Sequence, residues 1–223
     1  MNNNNFELLA EQLANFGFEI DNLLTQSLEA LMGRGLTEFE LFTEAFFDLG
    51  TKIEAKLYFI STGTPGFYHF VKYRALLRYA GQPEKDRAQT FYLREGQGIT
   101  FREAFNLLQG RSVCKTFVNP SGEQYTAWVT INFDADKDNR NDYFYVYVNT
   151  KDFNLEKVLN KYPISELAID EMRTSMINSL KRGNRYLATF KGATKTRRLC
   201  IEANPAYNTL NILPEGDGAN KGR

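Results

Sequence analysis

The chain has 223 residues, 43% hydrophobic and 24% charged, the length and balance of an ordinary soluble globular protein with one large domain or two small ones. Lys plus Arg equals Asp plus Glu at 27 each, so the net charge is zero. No apolar run approaches the roughly 18 to 20 residues of a membrane span, and Met1-Asn-Asn-Asn-Asn5 lacks the basic start of a secretory signal, so a cytoplasmic protein without a membrane partner is expected.

Phe6–Phe16 and Ile20–Met32 space their apolar residues at three and four, which predicts two amphipathic helices broken at Gly17. Leu36–Phe47 is ambiguous. Phe39, Phe42 and Phe46 fit a helix, whereas Phe39, Leu41, Thr43, Ala45 and Phe47 alternate. The alternation is preferred, because Gly33 and Gly35 have just ended a helix and Asp48-Leu-Gly50 reads as a turn into Lys52–Ile60. Phe67–Tyr79 returns after Thr62-Gly-Thr-Pro-Gly66, and Ala88–Leu93 follows Gly81-Gln-Pro83. These segments predict a four-strand antiparallel meander covered by the N-terminal helices.

Glu95-Gly-Gln-Gly98 is the expected boundary. Beyond it, Phe101, Ala104, Phe105 and Leu108 share one helical face that Gly110 ends. Ser112–Val118 and Gln124–Phe133 read as strands joined by Asn119-Pro-Ser-Gly122. A polar loop, Asp134–Asp142, leads to a third strand, Tyr143–Val148, and a short helix, Leu155–Lys161. Ser165–Arg182 reads as mostly helix, followed by strands Tyr186–Lys191, Arg197–Ala203 and Asn208–Leu213. Sliding the chain by 73 residues places Gly110 on Gly183, Leu107 on Leu180, Val113 on Tyr186, Thr116-Phe117 on Thr189-Phe190 and Trp128 on Ile201. A helix–glycine–hairpin unit used twice is expected, with a weaker echo at Leu28–Gly35.

Charge is uneven along the chain. Residues 1–60 hold ten acids against three bases, and residues 181–198 hold seven bases and no acid. Those seven, Lys181, Arg182, Arg185, Lys191, Lys195, Arg197 and Arg198, are interleaved with Tyr186 and Phe190. Bases neutralise phosphates and rings stack on unpaired bases, so this stretch is the candidate nucleic-acid contact; a solvated or internally paired face is the plainer reading.

Other candidates are weaker. His69, the only histidine, lies in Phe67-Tyr-His-Phe-Val-Lys-Tyr73 with no nucleophile nearby and reads as a strand-face residue. Asp134-Ala-Asp-Lys-Asp138 begins like a calcium loop, but Asn139 stands where the turn needs Gly and Tyr145 where a bidentate Glu is required. Cys114 and Cys200 lie far from any C-x-x-C spacing and read as small buried hydrophobes. Gly96-Gln-Gly98 is too short for a phosphate cradle. No catalytic, cofactor-binding or metal-binding residue is assigned.

The stretches Phe101-Arg-Glu-Ala-Phe-Asn-Leu-Leu-Gln-Gly-Arg-Ser-Val113, Tyr125-Thr-Ala-Trp-Val-Thr-Ile131, Lys161-Tyr-Pro-Ile-Ser-Glu-Leu167, Ser179-Leu-Lys-Arg-Gly-Asn184 and Ile201-Glu-Ala-Asn-Pro-Ala-Tyr207 resemble a family of uncharacterised bacterial proteins of gut Bacteroidetes. Members often accompany conjugative or other mobile elements. The likeness runs from about Phe91 to Leu213, implies a cytoplasmic bacterial protein, and carries no activity or site residue.

The expected fold is therefore α+β, with antiparallel sheets, helices packed on one face and tandem helix–hairpin repeats in the C-terminal part. The expected organisation is 1–95 as helical hairpin plus meander, 96–213 as the repeat region (96–150 and 164–213), and 214–223 as a mobile tail. The expected function is that of a non-enzymatic accessory or interaction protein of a mobile element, acting through an unknown protein partner. Nucleic-acid binding by the 181–198 hairpin is the alternative, and an enzyme with a site assembled from separate segments is a third reading.

Overall fold

A computed structural model describes residues 3–94, 97–119 and 121–215. The chain divides into two compact units, Met1–Phe105 and Asn106–Arg223.

The N-terminal unit begins with helices α1 (Asn3–Asn15) and α2 (Asn22–Gly33). Asp21 caps α2 by accepting the Leu24 N–H at 2.7 Å, which satisfies one of the N–H groups a helix start leaves without a partner. Strands β1 (Glu38–Ala45), β2 (Thr51–Ser61), β3 (Tyr68–Tyr79) and β4 (Arg87–Tyr92) pair antiparallel in sequence order. The alternating face of Leu36–Phe47 thus forms a strand, with Phe39 and Leu41 buried and Phe42 exposed.

Ile53, Ala55, Leu57 and Phe59 of β2 are all buried, and α1 and α2 pack against β3 and β1. On β3 the inward set changes parity, from Tyr68 and Phe70 to Tyr73, Ala75 and Leu77. The register explains this: Phe70 pairs with Phe59 and Lys72 with Tyr58, so Val71 is the extra residue of a β-bulge. The bulge lets Phe70 and Tyr73 enter one aromatic cluster, their ring centroids 6.4 Å apart. Buried polar groups here are partnered. Asn5 accepts the Tyr68 N–H at 2.9 Å, and the Tyr73 hydroxyl donates to the Ile99 carbonyl at 2.6 Å. Helix α3 (Phe101–Leu108) starts in this unit with a capping box between Thr100 and Glu103, and the division falls within that helix.

In the C-terminal unit, β5 (Val113–Val118), β6 (Gln124–Asn132) and β7 (Phe144–Asn149) form one antiparallel sheet. Helices α4 (Leu155–Leu159) and α5 (Asp170–Lys181) follow, separated by a 3-10 turn at Ser165–Ala168. A second antiparallel sheet contains β8 (Tyr186–Lys191), β9 (Thr196–Asn204) and β10 (Thr209–Pro214). One core joins them: Trp128 of β6, Phe153, Leu155 and Leu159 around α4, Met176 and Leu180 of α5, and Ala188 and Ile201 of the second sheet. At the end of α3, fully buried Asn106 donates to the Arg182 carbonyl at 2.7 Å and to Asn184 Oδ1 at 2.9 Å, and accepts from Arg111.

The expected tandem helix–hairpin repeat is not supported. The C-terminal unit is mostly strand, and each glycine-ended helix precedes a three-stranded meander. Residue-by-residue correspondence is confined to the helix ends. Gly110 and Gly183 both have positive φ, with Gly110 N–H on the Leu107 carbonyl and Arg111 N–H on Asn106, and Gly183 N–H on Leu180 and Asn184 N–H on Ser179. That is the double bond of a Schellman cap, common chemistry for ending a helix. Beyond it the 73-residue offset fails, because Val113 pairs with Val129 whereas Tyr186 pairs with Ile201, the counterpart of Trp128. The mobile tail expected over 214–223 lies outside the described residues from 216 on, and Pro214 belongs to β10. Glu95 and Gly96 of the expected linker, and Pro120 of the expected turn, also lie outside them.

Candidate functional site

The basic stretch does not form one surface. Lys181 and Arg182 are exposed at the end of α5, where the Arg182 carbonyl is held by Asn106. Arg185 pairs with Glu202 at 2.5 Å, and Arg198 with Glu215 at 3.4 Å. Arg197 and Arg198, opposite Phe190 and Thr189, point to opposite faces because neighbours on a strand alternate. The tip of the β8–β9 hairpin is exposed, with Lys195 in its turn, but the register sets Lys191 on the face of Arg198 and Arg197 on the other.

The outer face of the β1–β4 sheet carries a feature that linear reading misses. Cross-strand register places Glu40, Tyr58, Lys72 and Tyr92 in one row and Phe42, Lys56, Arg74 and Thr90 in the next. Phe42 is 70% exposed and Tyr92 47%. The Lys72 ammonium sits 4.8 Å from the Tyr58 ring centroid and 5.8 Å from that of Tyr92, and Lys56 sits 5.6 Å from Phe42 and 5.4 Å from Tyr58. Lys56 is also paired with Glu40 at 2.6 Å, whereas among the described residues no carboxylate lies within ion-pair reach of Lys72. Only the register of four strands could have revealed this pattern, since its residues are spread through the sequence from Glu40 to Tyr92.

The other end of the same face is an ion-pair network. Glu44 and Glu54 lie opposite each other, a repulsive placement relieved by Lys52, at 3.0 and 2.8 Å, and by Arg78, which reaches Glu54 at 2.9 Å and Asp86 at 3.2 Å. The Lys52 hydrogen bond, followed by that of Arg78, holds the Glu54 carboxyl below its ordinary value. A carboxylate whose folded pKa is depressed contributes stability above its unfolded pKa and loses it as pH falls through the folded one. Glu54→Gln is therefore expected to flatten the loss of stability below about pH 4.3, the ordinary glutamate value, in urea titrations over a pH series. The size is small, as the network is solvent-screened.

The third surface is β7, the outer strand of its sheet, with Phe144 54%, Val146 45% and Tyr147 50% exposed. Comparison of the chain with protein-family models, curated proteins and solved structures finds no match.

The remaining sequence candidates have plain surroundings. His69 is exposed on β3 opposite Ile60. In the calcium-like loop, Asp138 accepts the N–H groups of Arg140 and Asp142 at 2.9 and 3.0 Å and the Arg140 guanidinium at 2.7 Å. Those backbone and Arg140 contacts hold its carboxyl low and engage both of its oxygens. Among the described residues no three His, Cys, Asp or Glu side chains are grouped as metal ligands, and no helix is long and apolar enough to cross a membrane. Cys200 is buried and Cys114 half-buried, and burial pushes the Cys114 thiol up.

Proposed function

We propose that the chain is a non-catalytic interaction protein that takes an extended segment of a protein partner along the edge of β7, in the setting of a bacterial mobile element that the family resemblance implies. The observation that supports this reading is the chemistry of that edge. Phe-Tyr-Val-Tyr-Val-Asn carries no charge, Pro or bulge over six residues, three of the devices that keep edge strands from pairing. Its backbone supplies ladder hydrogen bonds and its alternating rings supply side-chain contacts to an added strand. By contrast the edge of β8 is closed: the Lys191 N–H bonds the Pro163 carbonyl and the Thr189 N–H bonds the Glu166 carboxylate at 3.0 Å.

The test uses the full chain as bait in nuclease-treated extract of the native host, with Val146→Lys and Phe144→Glu variants, and amide exchange of the bait. Partners that survive nuclease, are lost from both variants and slow exchange over 144–148 are the expected result. A partner set unaffected by both substitutions, or dispersed by nuclease, would overturn the reading.

A second reading, nucleic-acid contact by the 181–198 hairpin, is favoured by the exposed tip cations Lys191, Lys195 and Arg197. It predicts salt-sensitive binding weakened by joint Lys195, Arg197 and Arg198→Ala substitution; salt-independent binding contradicts it.

A further inference from the structure

The outer face of the N-terminal sheet is a separate surface, and its chemistry is different from that of β7. We infer that it binds single-stranded nucleic acid, with Tyr58, Tyr92 and Phe42 stacking on bases and Lys56, Lys72 and Arg74 contacting phosphates. Three rings and three cations alternate over two adjacent rows in which Glu40, at the β1 edge, is the only carboxylate. From β2 to β4 those rows hold Tyr58, Lys72, Tyr92, Lys56, Arg74 and Thr90, and no acid. Acids flank the strip: Glu38 in the row beyond Glu40, and Glu44 and Glu54 in the row beyond Phe42, the latter two engaged by Lys52 and Arg78. The flanks therefore confine an anionic strand to the ring-bearing rows.

Single strands fit this surface better than duplex. A ring standing on a sheet meets the face of a base only where that base is unstacked, and any base offers such a face, so recognition is tolerant of sequence. Tyr58 and Tyr92 share a row with one strand between them, which sets their backbones roughly 9.5 Å apart, two strand spacings. Lys72 lies between them over both rings. An exposed cation–π contact is weak, and the four-carbon stem of Lys72 lets the ammonium leave the rings for a phosphate as bases take its place. Arg74 is held beside them by its bond to Thr90 at 2.9 Å.

The experiment is fluorescence anisotropy of the full chain with a labelled oligothymidylate, its RNA counterpart and a duplex of equal length, over a salt series. Wild-type chain is expected to bind both single strands more tightly than the duplex. Tyr58→Ala and Tyr92→Ala should each weaken binding roughly tenfold, the scale of one lost stacked base. Tyr58→Phe should retain it, and Lys72→Ala should reduce the slope of log affinity against log salt by about 0.7, one phosphate contact. Circular dichroism of each variant confirms the fold. No binding at low salt, equal binding by Tyr58→Ala, Tyr92→Ala and wild type, or loss confined to a Lys191, Lys195 and Arg197→Ala variant of the hairpin would each overturn the inference. Because β7 is untouched, loss of protein capture by Val146→Lys leaves this result unaffected, and the two readings fail separately.

Discussion

Trp128→Ala is expected to destabilise the C-terminal unit by about 3 to 5 kcal/mol, the usual cost of emptying a buried aromatic site. Trp128 is 2% exposed and stands between the half-buried Cys114 and Val148 across its sheet, with the Phe153 ring edge-on at 5.2 Å. It belongs to the core that unites both C-terminal sheets with α4 and α5, so no single element can close the void. As it is the only tryptophan, unfolding of the variant is best followed by far-ultraviolet circular dichroism in urea. Tyr125→Ala, on the same strand but 44% exposed, should cost under about 1 kcal/mol. A Trp128→Ala loss as small as that would mean the two sheets do not share one interior.

Gly183→Ala is the second large effect, expected at about 3 kcal/mol. Two costs combine. With φ at +78°, the residue is in the left-handed region, where a side chain costs about 1 to 2 kcal/mol. A Cβ there would also lie 2.9 Å from the Ser112 carbonyl oxygen and 3.0 Å from both Asn106 Cβ and Val113 Cγ2, inside normal contact. Such overpacking typically adds about 1 to 3 kcal/mol. Gly122 is the control: its φ is +83° but its Cβ would meet open space, so Gly122→Ala should cost only about 1 kcal/mol. Equal urea midpoints for the two variants would show that the approach of the α5–β8 turn to Asn106 and Ser112 is not rigid.

Several surface features depended on pairings that no window of sequence displays. The 181–198 stretch looked like one basic surface because seven cations fall within eighteen residues. On the folded chain, strand alternation separates Arg197 from Arg198, and Glu202, seventeen residues away in sequence, takes Arg185. The reverse holds for the N-terminal sheet, where Phe42, Tyr58, Lys72 and Tyr92 share no spacing and meet only through register. The β3 bulge was equally hidden, since Tyr68, Phe70, Tyr73, Ala75 and Leu77 fit no single alternation until Val71 is skipped in the register with β2.

Short-range chemistry was readable directly. Apolar residues at three and four specified α1, α2 and α3, alternation specified β1, and glycines after periodic segments marked the ends of α3 and α5, because each depends on backbone geometry within a few residues. Which strands pair, in what register, and which strand ends a sheet depend on contacts between residues far apart in the chain. There the choice is made by which apolar faces can be buried together, as with Trp128 and Ile201 in one core. That is why a helix, a glycine and two strands could be read twice from sequence, while the three-stranded sheets they enter, and the exposed β7 at the edge of one of them, were decided only by the tertiary structure.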